Sequence, residues 1–225
     1  MKILIAVEGS DGTGKATQTD LLEKWFSSRG KKVVRISFPR YNQTTGGSLI
    51  YEVLKSANAE RYGFVNVEPM AASLLYAMDR RESLPYLLDA ISDNDVVIFD
   101  RYVESNLLHQ GGKLPPEKRE DFSRWLFNLE YGMLGLPSPH MVIYLSIPFE
   151  VSLRRATRRA EKEGGKLDAV ESNLEYVKAG SEAGKFYAEK LGWAIIDCCP
   201  DGVELSIPLV QEQLRILIKR RFALE

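Results

Sequence analysis

The stretch Gly9-Ser10-Asp11-Gly12-Thr13-Gly14-Lys15-Ala16-Thr17 decides the reading of this chain. It has the spacing GxxxxGK and directly follows the apolar run Ile3-Leu4-Ile5-Ala6-Val7. A buried strand, a glycine-rich turn and a helix in that order make a phosphate-binding loop. The glycines let backbone N–H groups turn inward as an anion nest, and the helix start adds the positive end of its dipole. Gly9 to Thr17 then cradle the phosphates of a nucleotide, with Lys15 reaching the β- and γ-phosphates. The residue after the lysine is normally Ser or Thr, whose hydroxyl ligates Mg²⁺. Here it is Ala16, followed by Thr17. Either the metal is held by phosphates, water and another carboxylate, or the loop has lost catalysis; the first reading is preferred because the remaining machinery is present.

Outward from the loop, short apolar runs alternate with longer helical patterns. Strands are predicted at about 2–7, 33–37, 95–99, 141–146 and 193–197. Near-continuous apolar runs such as Val96-Val97-Ile98-Phe99 fit strands buried on both faces. The pattern predicts an α/β fold, a doubly wound five-stranded parallel sheet with helices on both faces. Helices are predicted near 18–29, 68–92, 115–132 and from Ser206 onward, and Asn42 to Gly47 reads as a polar loop. The 225 residues fit one domain, 1–225, and 27% charged residues with a net charge of −1 suit a soluble enzyme with no nucleic-acid or membrane partner. No signal peptide and no apolar segment of membrane-spanning length are visible. The two cysteines, Cys198 and Cys199, are adjacent and make neither a disulfide framework nor a zinc cluster, so a cytoplasmic location is expected.

The third strand ends in Asp100-Arg101-Tyr102. In a parallel sheet that end faces the ligand crevice, where a carboxylate can hold magnesium through water and an arginine can clamp a phosphate. Ser105, Asn106, His109 and Gln110 follow on a predicted helix beside it. The second strand ends in Phe38-Pro39-Arg40-Tyr41, without a carboxylate. A hydroxyl acceptor needs a base to take its proton, whereas a monophosphate is already anionic, so a phosphate acceptor is favoured. Arg40 can also be an ordinary surface arginine. Tyr76 and Arg80 are four residues apart and share a helix face. They can read a base together, although by spacing alone a core tyrosine with a rim arginine is the simpler reading. Arg154, Arg155, Arg158, Arg159, Lys162 and Lys166 crowd a stretch ending at Gly164-Gly165. That stretch, about 154–168, is either a solvated helix face or a short mobile lid closing over phosphates.

Together EGSDGTGKATQ, FPRY, YAMDR, DRYVESNLLHQG and GLPSPHMVIYL resemble the thymidylate kinases, in order and spacing, over about 2–197. The resemblance implies a P-loop nucleoside-monophosphate kinase, usually a homodimer, that moves the γ-phosphate of Mg·ATP to dTMP. It further implies Asp11 on the acceptor's 3′-hydroxyl, Arg101 and Arg40 on its phosphate, and Asp100 in the magnesium shell. Tyr76 would stack on thymine with Arg80 at its carbonyl edge, while Phe38, Ser105 and Gln110 contribute to the acceptor site. Gly12 stands where one branch of the family keeps a catalytic arginine, so the lid arginines Arg154, Arg155, Arg158 and Arg159 become the source of that charge. Arg40 is one residue out of register with the family pattern, and His109 stands where relatives commonly carry tyrosine. Both differences touch acceptor choice. A deoxynucleoside kinase of the same fold and a weakly catalytic nucleotide-binding regulator are the rival readings.

Overall fold

The structure, a computed structural model, describes residues 2–57, 59–162 and 172–224. Five strands, β1 (Ile3–Glu8), β2 (Val33–Ser37), β3 (Val96–Asp100), β4 (Met141–Ser146) and β5 (Ala194–Asp197), pair in parallel in the order β2-β3-β1-β4-β5. Val7 and Ser37 both lie in register with Asp100, so the carboxyl ends of β1, β2 and β3 finish side by side. The chain leaves β1 toward β2 and β3 on one flank and reaches β4 and β5 on the other. That reversal opens a crevice above the sheet where ligands bind in such folds.

Helices α1 (Lys15–Ser27), α2 (Thr45–Lys55), α3 (Ala59–Tyr62), α4 (Pro69–Glu82), α5 (Leu84–Asp93), α6 (Ser105–His109), α7 (Pro116–Phe127), α8 (Phe149–Lys162), α9 (Leu174–Lys190) and α10 (Ile207–Phe222) connect and flank the strands. Alternate residues of each strand point to opposite faces. Leu4, Ala6, Val97 and Phe99 join a core with Leu87, Phe122, Leu126 and Tyr187 from α5, α7 and α9. Ile3, Ile5, Val7 and Ile98 join the opposite core with Leu22, Phe26, Leu214 and Ile218 from α1 and α10. Both faces of the sheet are therefore covered, as its continuous apolar runs require. No helix of the described residues is long and apolar enough to cross a membrane.

Two helical expectations are corrected. The stretch 68–92 is two helices broken at Ser83, because Pro85 lacks an N–H and its ring clashes with the carbonyl four residues back in a continuing helix. The stretch 115–132 is α-helical only to Phe127 and widens into a looser turn over Asn128–Met133. The loop expected at Asn42 to Gly47 contains the start of α2, capped by Thr44, whose side chain accepts from the Gly47 N–H. Its glycines serve close packing: a Cβ on Gly46 would lie 2.4 Å from the Asp79 nitrogen, and one on Gly47 2.2 Å from the Arg40 carbonyl oxygen.

Candidate active site

The phosphate-binding loop takes the predicted form. Gly9, Gly12 and Gly14 have φ of 152°, 81° and 90°, which L side chains rarely adopt, and α1 starts at Lys15. Thr13 closes the turn through its N–H and hydroxyl, both on the Ser10 carbonyl. Lys15 is buried, with its ammonium on the carbonyls of Gly9 and Ser10 at 2.8 Å each. Ala16 and Thr17 are exposed on the crevice wall. Gly12 has a second reason to be glycine. A Cβ there would sit 2.3 Å from the Ser152 carbonyl oxygen, because the first turn of α8 lies directly on the loop. The Ser152 hydroxyl also donates to the Asp11 carbonyl. No arginine fits at this position while α8 stays in place.

Across the loop, Arg101 follows the last residue of β3 in a left-handed conformation, φ 67°, and its N–H donates to the Val7 carbonyl at 3.3 Å. A non-glycine residue held there is strained and persists only where its surroundings fix it. Here the guanidinium is fixed by an ion pair with Asp11 and by His109, whose Nε2 lies 3.0 Å from Nη1. A guanidinium only donates, so Nε2 accepts and the ring is neutral. Burial, with Arg101 adding to it, lowers the His109 pKa to about 3. Burial alone would raise the Asp11 carboxyl, but Arg101 and Lys15 outweigh it and hold the group well below the usual carboxylate range.

The crevice above β1 and β3 has a volume of about 1020 Å³. The loop and the end of β3 line it with Asp11, Lys15, Asp100 and Arg101, α8 with Arg155 and Arg159, and Phe38, Tyr76, Arg80, Ser105, Asn106, His109 and Tyr176 complete the wall. Asp100 is 9% exposed, with Arg35 Nη1 at 4.0 Å. Glu8, which sequence reasoning passed over, ends β1 beneath the site and accepts from the Tyr102 N–H at 2.7 Å and the Ser105 hydroxyl at 2.6 Å. Burial raises its pKa. An acidic residue closing an apolar strand run was the available signal.

Several expected site residues stand elsewhere. Arg40 turns away, with its guanidinium 4.1 Å from the Tyr86 ring centre and bonded to Gln43, and it does not line the crevice. Gln110 is fully buried behind the wall near Tyr176 and does not line the crevice either. Arg80 is no rim residue: it is 2% exposed and paired through two nitrogens with buried Glu130. Breaking such a buried pair by removing one partner costs about 3–5 kcal/mol. On α8, Arg155 and Arg159 line the crevice, whereas Arg154 pairs with Glu204 and Arg158 lines only a shallow surface cleft that it shares with Arg155, Arg159 and Lys162. Arg155 also pairs with Glu204, at 2.7 Å. The glycines 164 and 165 and Lys166, and with them the end of the expected lid, lie outside the described residues.

Burial lowers the Lys15 pKa to about 8; Arg101 adds to the shift, while Asp11, Asp100 and Glu8 oppose it. With phosphate binding expected of the protonated form, kcat/KM for a nucleoside triphosphate is expected to be level below about pH 8 and then to fall roughly tenfold per unit as the ammonium is lost. A pH–rate profile checks this. Burial, with Glu8 adding to it, likewise raises the Glu104 carboxyl to about 8, but it is bonded to Tyr131 and does not line the crevice. The alkaline limb is therefore expected to survive in Glu104→Gln.

A sequence profile described as thymidylate kinase matches residues 7–200. A thymidylate kinase of Mycobacterium tuberculosis is 31% identical over 194 residues, 85% of this chain and 87% of the relative. A probable thymidylate kinase of Thermococcus gammatolerans is 33% identical over 166 residues, 72% and 74% of the two chains. One from Prochlorococcus marinus is 30% identical over 223 residues, 97% of this chain and 96% of the relative. With the phosphate-binding loop, the Asp100-Arg101 strand end and the crevice between them in place, this chain belongs to the thymidylate kinase family.

Proposed function

We propose that the protein transfers the γ-phosphoryl group of Mg·ATP to dTMP, giving dTDP and ADP. One observation carries the reading. Lys15 from the loop and Arg101 from the end of β3 meet across Asp11, in a crevice that the aromatic rings of Phe38 and Tyr76 also line. Two cations suit a donor phosphate chain and an acceptor phosphate held end to end, and the aromatic rings suit a flat base. An acceptor phosphate oxygen attacks the γ-phosphorus, and the bond from that phosphorus to the leaving ADP oxygen breaks. No proton has to be removed, consistent with Arg40 rather than a carboxylate after β2. Lys15 draws charge from the transferring group, Arg101 aligns the acceptor, and Arg155 and Arg159 supply further positive charge. Catalysis of this kind is alignment and charge stabilisation.

Asp100 offers carboxylate oxygen to the crevice, the hard donor that Mg²⁺ takes alongside water and phosphate oxygens. Bound there, the metal would neutralise charge on the β- and γ-phosphates. Ala16 contributes no hydroxyl, so Asp100 would hold the ion through water. Asp11 would meet the acceptor sugar, and Ser105, which also lines the crevice, would contribute to acceptor recognition. Residues 1–225 would act as one domain, in the cytoplasm and without nucleic-acid or membrane partners; the buried free cysteines fit a reducing compartment. Exposed apolar side chains on α2, α4 and α5, among them Leu49, Leu74 and Leu88, support a homodimer.

Mg·ATP supplied with dTMP, dUMP, dGMP or thymidine separates the readings. Fast ADP release is expected with a pyrimidine monophosphate and dTMP in particular. Comparable kcat/KM on thymidine identifies a nucleoside kinase, and no turnover on any acceptor identifies a binding protein; either result overturns the proposal.

A further inference from the structure

Behind the crevice wall formed by Arg80 and Asn106 lies a carboxylate that phosphoryl transfer does not use. Glu130 sits in the looser turn Asn128–Met133 and is 0% exposed. Three donors converge on it: Arg80 Nε at 2.5 Å, Arg80 Nη2 at 2.6 Å and Asn106 Nδ2 at 3.3 Å. Arg80 Nη1 donates to the Tyr102 carbonyl at 3.3 Å. Arg80 and Asn106 both line the crevice; Glu130 does not.

A carboxylate paired with a guanidinium accepts and does not donate. It therefore decides which end of the Asn106 amide faces it. The amino group turns to Glu130, and Oδ1 is what remains to offer the crevice. Arg80 has only donors to offer in any orientation. One wall of the crevice thus presents a donor beside an acceptor, with that order set by a residue no ligand touches.

Resting on the function proposed above, we infer that Glu130 is a positioning residue that sets base specificity. It fixes a pattern complementary to a ring carbonyl next to a ring N–H, the edge of a 4-oxo pyrimidine such as thymine or uracil. A 4-amino pyrimidine reverses both groups, placing donor against donor and acceptor against acceptor. Sites built on hydrogen bonds reject such analogues strongly, because the mismatched buried groups stay unpaired.

Glu130→Gln tests this, since a carboxamide both donates and accepts and so frees the Asn106 amide to turn. Steady-state kinetics on dTMP and dCMP at saturating ATP are the measurement. The expected result is a dTMP KM raised with the ATP KM unchanged, and a dTMP-to-dCMP ratio of kcat/KM narrowed at least about tenfold. Equal losses on both substrates, leaving the ratio as it was, overturn the inference. Should the Gln variant fail to fold, Asn106→Ala removes the acceptor and leaves the Arg80–Glu130 pair intact. It too is expected to narrow the ratio, and an unchanged ratio in a folded Asn106→Ala protein overturns the inference. Wild-type protein that turns over no monophosphate fails the functional proposal first, and that failure is visible before any variant is made.

Discussion

Arg101→Ala is expected to lower kcat/KM for the acceptor by about a thousandfold, the lower end of what a phosphate-directed arginine contributes. The ATP KM should stay within a few fold, because the proposed donor site, Lys15 and the loop glycines, does not include it. The size follows from how completely the structure commits this side chain. Its backbone is held at φ 67°, and its fork is shared between the Asp11 carboxylate and His109 Nε2 at the crevice floor. Arg101→Lys should recover little, since an ammonium cannot span two partners and a phosphate in one plane. Both replacements inherit the same backbone strain, so a difference between them reports on the fork.

A second signal accompanies the kinetics. Burial is the larger cause of the depressed His109 pKa and Arg101 the next. Removing the guanidinium should therefore raise that pKa toward its ordinary value, and with two histidines in the chain an NMR titration resolves it. A variant that keeps kcat/KM within tenfold of wild type makes Arg101 a structural residue. An unmoved His109 titration removes the contact as an electrostatic one.

The crevice residues and the sheet differ in how far local pattern reveals them. The predicted strands match the observed ones to within about a residue; the central strands β1, β3 and β4 are buried on both faces and so apolar nearly throughout, which is a local property. The loop, Asp100 and Arg101 were legible for a related reason: the strand-end position itself aims them at the crevice. Side-chain direction away from those ends was not legible. Arg40 follows a strand end as well, yet the Tyr86 ring, distant in sequence, draws it outward. Arg80 is taken inward by Glu130, 50 residues on. Helix α9 is not among the helices predicted from the sequence, and it carries two glycines, Gly180 and Gly184. A Cβ at Gly184 would lie 2.4 Å from the Tyr144 hydroxyl oxygen, so the glycine there permits close packing of the helix. In each case the deciding partner is remote along the chain.

Among the arginines of α8, Arg155→Ala or Arg159→Ala is expected to reduce kcat by about a hundredfold or more, while Arg154→Ala and Arg158→Ala stay near wild type. Spacing alone allowed either pair four residues apart. The seating of α8 separates them: Ser152 binds the loop at Asp11, Gly12 leaves room for its backbone, and one and two turns further on Arg155 and Arg159 face the crevice. The positive field of Arg159 also reaches the Asp11 carboxylate. A transferring phosphoryl group spreads charge over its outer oxygens, so a guanidinium placed there stabilises the transition state more than bound ATP. The loss should therefore fall on kcat with both KM values little changed, and lysine should rescue it poorly. Glu204, which holds Arg155 at 2.7 Å and also pairs with Arg154, adds a check. Arg154→Ala breaks only the outer half of that arrangement, so a large kcat loss there would place the catalytic charge on the wrong side of the helix. Near-normal kcat in both Arg155→Ala and Arg159→Ala would assign the catalytic side-chain charge, among the described residues, to Lys15 and Arg101 and reduce α8 to a wall.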